Sequence, residues 1–535
     1  MSGALFHVVE IETERPLDVV FSRGWGTKPA GCMTLLPFRR SEIDTLRLSD
    51  LGYASEAGHV FPPLLSEAFA IDRRIDLSPA SPSSPESWGA ITIANPGGRF
   101  DALIRDRVVD RMPIRIRAGR KRHDLARQID IDPPDAALKP MFSGLGSPWQ
   151  PDRLSVQIAL REVSGWLDAT LMPVGSYAGS GRFGGDSNVR GRSLPRLRGS
   201  ALNLTPVLID AVNLVYQISD GPGHVSALYE GGFAGGIVAG GAVADLYADP
   251  PAPGSWKLQS SSAGLFIRLG TKPVYAITVD ASGDFPSGAA PRTPLTLLRQ
   301  MLIEDLTMPA EWLSGAWDDD REAGWYWDGS DAVTGRQIVN TWLAGLGVRL
   351  VPSHEGTLAP VLLQMPDAIP DRVLTADHVI ELSGLALDDG LSPPPYRWRV
   401  GYARNHTLQQ GGSALHPRIT AERQSFAQQQ DRVATWYLPS IKLRYRQPGD
   451  LPVIPTALLN ERDAQNTANA HGTLWGPERH LWSVTLPRSI AAGIDLGHAL
   501  RLDLPAPGLR GGATGIVIGE QIRSTEASVT LTVLV

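Results

Sequence analysis

The stretch Ser87–Arg120, SWGAITIANPGGRFDALIRDRVVDRMPIRIRAGR, constrains the fold of this chain more than any other. Trp88, Ala90, Thr92 and Ala94 alternate with Gly89, Ile91 and Ile93, the period-two spacing of a strand. Asn95-Pro96-Gly97-Gly98 stops it, because Pro96 lacks a ladder donor and the two glycines can take positive φ. Met112, Ile114 and Ile116 then alternate with Arg111, Arg115 and Arg117, so the spacing predicts a second strand with one apolar and one cationic face. The first face asks for a core. The second asks for water or a charged partner, and the residues alone leave those two open.

The rest of the chain repeats this texture. Its 535 residues are too many for one ordinary core, so about three to five domains are expected. The 55 glycines and 43 prolines make roughly 18% of the chain, against a usual ~12%, which favours many turns and short strands over long helices. The 14 tryptophans are spread along the chain, as several small cores or interfaces would require. A net charge of −6 is modest for this size and argues against a nucleic-acid coat. Cys32 is the single cysteine, which excludes an intrachain disulfide and a Cys-based zinc or iron–sulfur site within one chain. The start, MSGALFHVVEIETERP, lacks a basic segment followed by an apolar core, and no apolar run reaches the length of a membrane span. The expectation is synthesis in a cytoplasm, with any passage out of the cell made inside a particle.

Taken in order, residues 4–22 read as two short strands around Phe6, Val8 and Ile11, with a break near Pro16. Residues 60–83 read as a strand pair ending in a Pro/Ser loop, and Met141–Gly144 and Leu154–Leu160 resume the strand pattern after a charged, Pro-rich stretch. Residues 1–165 are therefore expected to form one barrel-like β-domain. Residues 166–200 are a Gly/Arg-rich connector with no phosphate-loop pattern. In the β-domain 201–290, Leu214–Ile218 and Val225–Tyr229 flank Ser219-Asp220-Gly221-Pro222-Gly223, which predicts a hairpin. The glycine-rich run Gly231–Ala242 reads as a tight turn element rather than a ligand cradle.

Residues 291–392 are expected to be α+β. Thr293 can cap a helix over 294–306 whose Leu295, Leu298, Met301 and Leu302 share a face. A second helix, 335–345, begins after Thr334, pairs Ile338 with Trp342 and Val339 with Leu343, and ends at Gly345 and Gly347. A hairpin turning at His354-Glu355-Gly356-Thr357 follows. Residues 393–535 read as a C-terminal β-domain with one helix, 461–474, capped by Asn460. Its strands are YRWRVGY, HLWSVTL, HALRLDL, TGIVIGEQI and SVTLTVLV. In the first, Tyr396, Trp398, Val400 and Tyr402 should face a core, and Arg397 and Arg399 a partner chain or solvent.

Several of these stretches resemble the tail hub (baseplate, tail-tip) proteins of long-tailed bacteriophages and gene transfer agents. They are the strand ending in Asn95 with its Gly turn, Arg99-Phe100-Asp101 and the basic strand ending Ala118-Gly119; PVLIDAVNLVYQISDGP with ALYEGG; the helix followed by a hairpin; YRWRVGYARNHT, the most specific; and DLGHALRLDLPAPGLRGGATGIVIGEQI. The resemblance covers most of the chain in patches and includes no diagnostic catalytic signature. It implies a mainly β, multidomain fold with smaller α+β parts and β-barrel hub domains. It further implies a homotrimer whose two barrels per chain mimic the six-fold symmetry of a tail tube. Such a hub closes the distal end of the tube, forms a central channel, and attaches fibres for host recognition and genome delivery. The implied partners are the distal tail protein, the tail tube and tape-measure proteins, and tail fibre or receptor-binding proteins, with DNA only in transit through the channel. The implied location is the virion, after synthesis in the host bacterial cytoplasm. Some such hubs hold a cysteine-ligated cluster, which Cys32 alone cannot supply.

Chemistry has few other places in this sequence. Asp318, Asp319, Asp320 and Glu322, with Asp328, could pair carboxylates for glycoside cleavage beside Trp317, Trp325, Tyr326 and Trp327 as sugar-stacking rings. A solvated acidic turn next to buried aromatics is the weightier reading of the same residues. The 11 histidines, His354 and His406 among them, form no HExxH or HxH pattern, no GxSxG elbow exists, and Cys32 has no catalytic signature around it. The basic strand faces, Arg111, Arg115 and Arg117, and Arg397 with Arg399, suit acidic faces of neighbours better than a DNA groove. No catalytic, cofactor-binding or metal-binding residue is assigned, no cofactor is expected, and the expectation is a non-enzyme. The alternatives are a tail-associated carbohydrate-active enzyme with its site at 317–328, or a sugar-binding adhesin.

Overall fold

A computed structural model describes residues 4–16, 41–78, 88–124, 126–168, 175–366, 370–388, 390–411 and 414–535. Cys32, the second of the two strands expected in 4–22, and the end of the Pro/Ser loop of 60–83 lie outside these residues. Strand accounts for 42% and helix for 17%, so the turn-rich composition does accompany short strands, and the chain is mainly β and multidomain.

The alternating segments do what their spacing requires. Ile91 and Ile93 in the strand Trp88–Ala94, Ile114 and Ile116 in Pro113–Arg120, and Val156 and Ile158 in Ser155–Arg161 are all fully buried in one core. These strands belong to a 14-stranded sheet. Its first part runs Ser41–Ser49, Leu5–Pro16, Pro113–Arg120, Lys139–Gly146, Ser155–Arg161, Trp88–Ala94, Leu65–Arg74. It curls until Ser41–Ser49 lies against Leu65–Arg74, with Ser49 donating its N–H to Pro62 O at 2.9 Å. No ladder joins those two strands, so the barrel expected for 1–165 is not closed among the described residues. The physical reason is that Leu65–Arg74 gives its free edge to the end of the chain. It pairs antiparallel with Ala513–Arg523, Ala70 opposite Arg523 and Arg73 opposite Glu520. The sheet then continues through Ser528–Leu534, Leu481–Pro487 and Glu381–Leu385, with Ala499–Asp503 and Arg372–Thr375 branching from Ala513–Arg523. Val529, Leu531 and Val533 of the terminal strand are buried, as their alternation demands.

Between these halves sit two smaller sheets. One orders Gly223–Glu230, Ile277–Gly283, Arg196–Leu204 and Gly324–Trp327; the other orders Val207–Asp210, Val215–Ser219, Gly264–Leu269, Ser255–Ser261 and Val238–Ala242. Leu197, Ile218, Val225, Ile267 and Val279 from both sheets share a core, the arrangement of a sandwich. The hairpin expected across 219–223 is not formed. Val215–Ser219 and Gly223–Glu230 part into different sheets, because Ser219 and Asp220 are buried and Asp220 is held by two arginines instead of turning in water. The glycine run also divides. Gly231 and Gly232 take positive φ in a turn, and Val238–Ala242 is an exposed edge strand, parallel to Ser255–Ser261.

The three expected helices are present as Pro294–Glu304, Gly335–Leu343 and Glu461–Trp475. Thr334 and Gln337 form a reciprocal capping box. Thr293 and Asn460 stand at their N-caps without a side-chain cap bond. The Thr293 hydroxyl turns to Thr296, and the Asn460 amide reaches Glu322 at 3.4 Å. Leu295, Leu298, Met301, Leu302, Val339 and Trp342 pack in one core with Trp317 and Trp325. Short helices at Asp101–Asp106, Ala421–Gln428 and Pro439–Arg444 add to these, all three exposing most of their length. Among the described residues no helix is long and apolar enough to cross a membrane.

Candidate functional site

The acidic cluster comes first, since paired carboxylates are its claim to chemistry. Asp318, Asp320 and Glu322 are exposed. Asp319 is taken by its own neighbour, Arg321, whose Nε lies 2.8 Å from Oδ1 and whose backbone N–H donates to the same oxygen at 2.9 Å. Asp328 accepts from Arg192 at 3.1 Å and from the Ser330 hydroxyl at 2.6 Å. The aromatics beside them serve the fold. Trp317 and Trp325 are buried in the helical core, Trp317 Nε1 donates to Ser314 O at 2.8 Å, and Trp327 Nε1 donates to Asp331 O at 2.8 Å. None of these five acidic residues lines either of the two cavities described below.

The basic strand faces find acids in their own chain. Arg117 reaches Glu10 at 3.3 Å and Arg115 reaches Glu12 at 3.9 Å, across the antiparallel ladder between Pro113–Arg120 and Leu5–Pro16. Arg111 is not on that strand: it sits in the turn before it at φ 59°, because Pro113 begins the ladder. Arg397 and Arg399 lie on the side opposite Trp398, which is fully buried and stacked on His471 at 4.9 Å. They converge on Asp450, Arg397 through Nε at 2.7 Å and Nη2 at 2.6 Å, Arg399 through Nη2 at 3.1 Å. Hydrogen bonding from Arg397, against the opposing effect of burial, holds the Asp450 carboxyl down to about 2. The expected partner-or-solvent face is thus occupied by a loop of the same chain.

Two buried ion clusters escape a reading of the sequence. In the first, Arg73 donates Nε to Glu520 at 3.1 Å and Nη2 to Asp495 at 2.7 Å, and His354 lies 3.0 Å from Glu520 and 3.4 Å from Asp495. Burial pushes the His354 imidazole down, but hydrogen bonds to Asp495 and Glu520 outweigh it and raise it to about 9. Burial pushes the Glu520 carboxyl up, and Arg73 brings it back below its ordinary value. This cluster clamps the first strand half to the last at the Arg73–Glu520 register and pins the hairpin turn onto both. In the second, Arg196 and Arg198 grip Asp220 at 2.9 and 2.8 Å, and Arg198 also holds Asp305 at 3.0 Å, with every side chain almost wholly buried. Burial raises the Asp305 carboxyl. In both clusters buried acids face buried bases, as buried ions must, and the buried Glu162 also acts on Arg73. Among the described residues no group of three or more His, Cys, Asp or Glu is arranged to hold a metal.

Two cavities stand out among the described residues. One, of about 310 Å³, is bordered by Thr13, Asp44, Arg47, His59 and Leu103. The other, of about 160 Å³, is bordered by Ser200, Trp325, Tyr326, Thr341, Arg404 and His406. Burial, followed by the charge of Arg404, pushes the His406 imidazole down to about 4.

With this geometry in hand, comparison with known proteins adds the following. No family model matches the chain, and no curated protein matches it. Among solved structures, the chain is similar to the tail protein from Neisseria meningitidis MC58 at 10% identity and a TM-score of 0.40, over 89% of this chain and 93% of that one. It is similar to the 43 kDa tail protein of prophage MuSo2 from Shewanella oneidensis at 8% identity and a TM-score of 0.39, over 90% and 97%. It is also similar to a chain of the virion of a native gene transfer agent particle at 12% identity and a TM-score of 0.39, over 64% and 84%.

Proposed function

We propose that this chain is a structural protein of a phage-like tail, acting as the hub at the distal tip. The observation that carries the proposal is the sheet fusion at Leu65–Arg74 and Ala513–Arg523. One chain bears two strand halves in tandem, so three copies would offer six, matching the six-fold tail tube that the resemblance to tail hub proteins implies. The division of the chain into parts 1–165, 166–200, 201–290, 291–392 and 393–535 belongs to the same proposal. In this reading the exposed edges of the sheets, which invite pairing, meet copies of the chain and neighbouring tail proteins, and fibres attach outside a central channel. The hub works mechanically, without catalysis, and reaches its place in the virion after synthesis in the host cytoplasm. The engagement of Asp319 and Asp328 by arginines, and the burial of Trp317 and Trp325, favour this reading over a glycosidase at 317–328.

Particle imaging combined with sedimentation of the purified chain tests it. Three copies in a ring at one end of a tail are expected. Six equivalent copies, a monomer within the particle, or a position along the tube would overturn it.

A further inference from the structure

The smaller cavity lies between the strands Arg196–Leu204 and Gly324–Trp327, the helix Gly335–Leu343, and the turn after Arg397–Tyr402. Three polar groups meet there unspent. The Ser200 hydroxyl and the Arg404 guanidinium make no hydrogen bond or ion pair with any described residue. The His406 ring makes none either, and stands edge-on to Tyr326 at 5.6 Å between centroids. No carboxylate borders the cavity. The nearest acidic influence on Arg404 is Asp431, whose carboxyl is pushed toward its neutral form by burial and pulled back by Arg404, without an ion pair between them. An arginine with no hydrogen-bonded carboxylate in a partly closed cleft is an oxyanion receptor, because its planar fork matches a carboxylate.

The remaining walls narrow the choice of ligand. Tyr326 borders the cavity, and an aromatic ring of this kind packs against the C–H face of a ring. Ser200 and a neutral His406 offer donors and acceptors to hydroxyls rather than a second charge. A volume of about 160 Å³ is close to the ~150 Å³ that accommodates one six-membered ring. We propose that this cleft binds a single sugar ring bearing a carboxylate, with Arg404 on the carboxylate, Ser200 and His406 on ring hydroxyls, and Tyr326 against the ring. The site is separate from the acidic cluster at 317–328 and involves no bond cleavage. It stands whether or not the chain is a tail hub.

Saturation-transfer NMR and titration calorimetry on the full chain would test it with glucuronate, glucose and inorganic phosphate as probes. Saturable glucuronate binding is expected, weakened at least about tenfold in Arg404→Ala and less in Arg404→Lys, as loss of a charge-assisted bidentate contact requires. Glucose should bind at least about tenfold more weakly, and phosphate should compete poorly because it cannot use the ring walls. Equal binding of glucose and glucuronate would overturn the proposal. So would full competition by equimolar phosphate, an Arg404→Ala chain that binds as tightly as the parent, or no saturation on the order of 10 mM glucuronate. The comparison among the three probes on the unaltered chain decides the matter even if an Arg404 variant fails to fold.

Discussion

Replacing Arg73 with methionine removes one cation from a cluster in which Arg73 and His354 face Asp495 and Glu520, with the buried Glu162 also acting on Arg73. The side chain of Arg73 is 3% exposed and that of Glu520 is 7% exposed, so water cannot take over the lost contacts. Two carboxylates would then face a single imidazolium, and Pro352 O would lose the Nη1 donor now 3.0 Å away. Removing one partner of a buried pair costs about 3–5 kcal/mol, whereas exchanging both for apolar groups is often neutral or better. Methionine fills most of the arginine stem, so little of the effect should come from a cavity. The double change Arg73→Met with Glu520→Leu leaves His354 against Asp495 and should recover most of the loss. Scanning calorimetry of the full chain reads this, comparing the first transition among variants because a multidomain chain does not unfold in one step. The single variant should melt several degrees earlier and the double variant close to the parent. A single variant that melts with the parent, or a double variant no better than the single, would refute the account of this cluster as a charge-paired clamp.

The same cluster gives a pH signature. The folded pKa of His354, about 9, lies above its ordinary ~6.5. Its stabilisation is therefore complete below ~6.5 and lost as pH rises through about 9, at most about 3 kcal/mol; His354→Gln should flatten the fall in melting temperature over that window. Trp398→Ala should cost about 3–5 kcal/mol, the usual penalty for emptying a buried aromatic site, and an unchanged melting temperature would mean that the strand face is misassigned. Arg397→Ala with Arg399→Ala frees the Asp450 loop but leaves Trp398 in place, so it should lower the melting temperature far less than Trp398→Ala, on the same instrument. Changing Asp318, Asp319, Asp320 and Asp328 together to Asn should leave assembly and any glycan cleavage unchanged, and loss of a measured cleavage with intact assembly would favour the glycosidase.

Much of the fold was legible because it depends on local periodicity. The strands Leu481–Pro487, Ala499–Asp503, Ala513–Arg523 and Ser528–Leu534 fall where alternation put them, and Trp398 is buried where period two required it. The helix Gly335–Leu343 begins at the capping box of Thr334 and Gln337, a signal confined to four residues. What stayed hidden depends on pairs far apart in sequence. Asp220 looked like a turn residue, yet it is buried against Arg196 and Arg198, which read as part of a surface connector. His354 looked like an exposed turn histidine, and its partners Asp495 and Glu520 lie more than a hundred residues later. Turn chemistry and cluster chemistry use the same residue types, and only the tertiary fold decides between them.

The placement of these hidden charges follows from the topology. Where Leu65–Arg74 pairs with Ala513–Arg523 inside the 14-stranded sheet, Arg73 and Glu520 are buried and face each other in the ladder itself. A buried apolar pair would serve burial equally well, but it would tolerate a slip in register. A one-residue slip here would separate Arg73 from Glu520 and move both to the wrong face of the sheet. The ion pair therefore specifies which residue of Leu65–Arg74 meets which residue of Ala513–Arg523, two segments separated by over four hundred residues. The Arg196–Asp220–Arg198–Asp305 cluster does the same where two sheets and the end of the helix Pro294–Glu304 converge. Each cluster joins segments that are not neighbours in sequence, which is where a hydrophobic pattern alone leaves the pairing least determined.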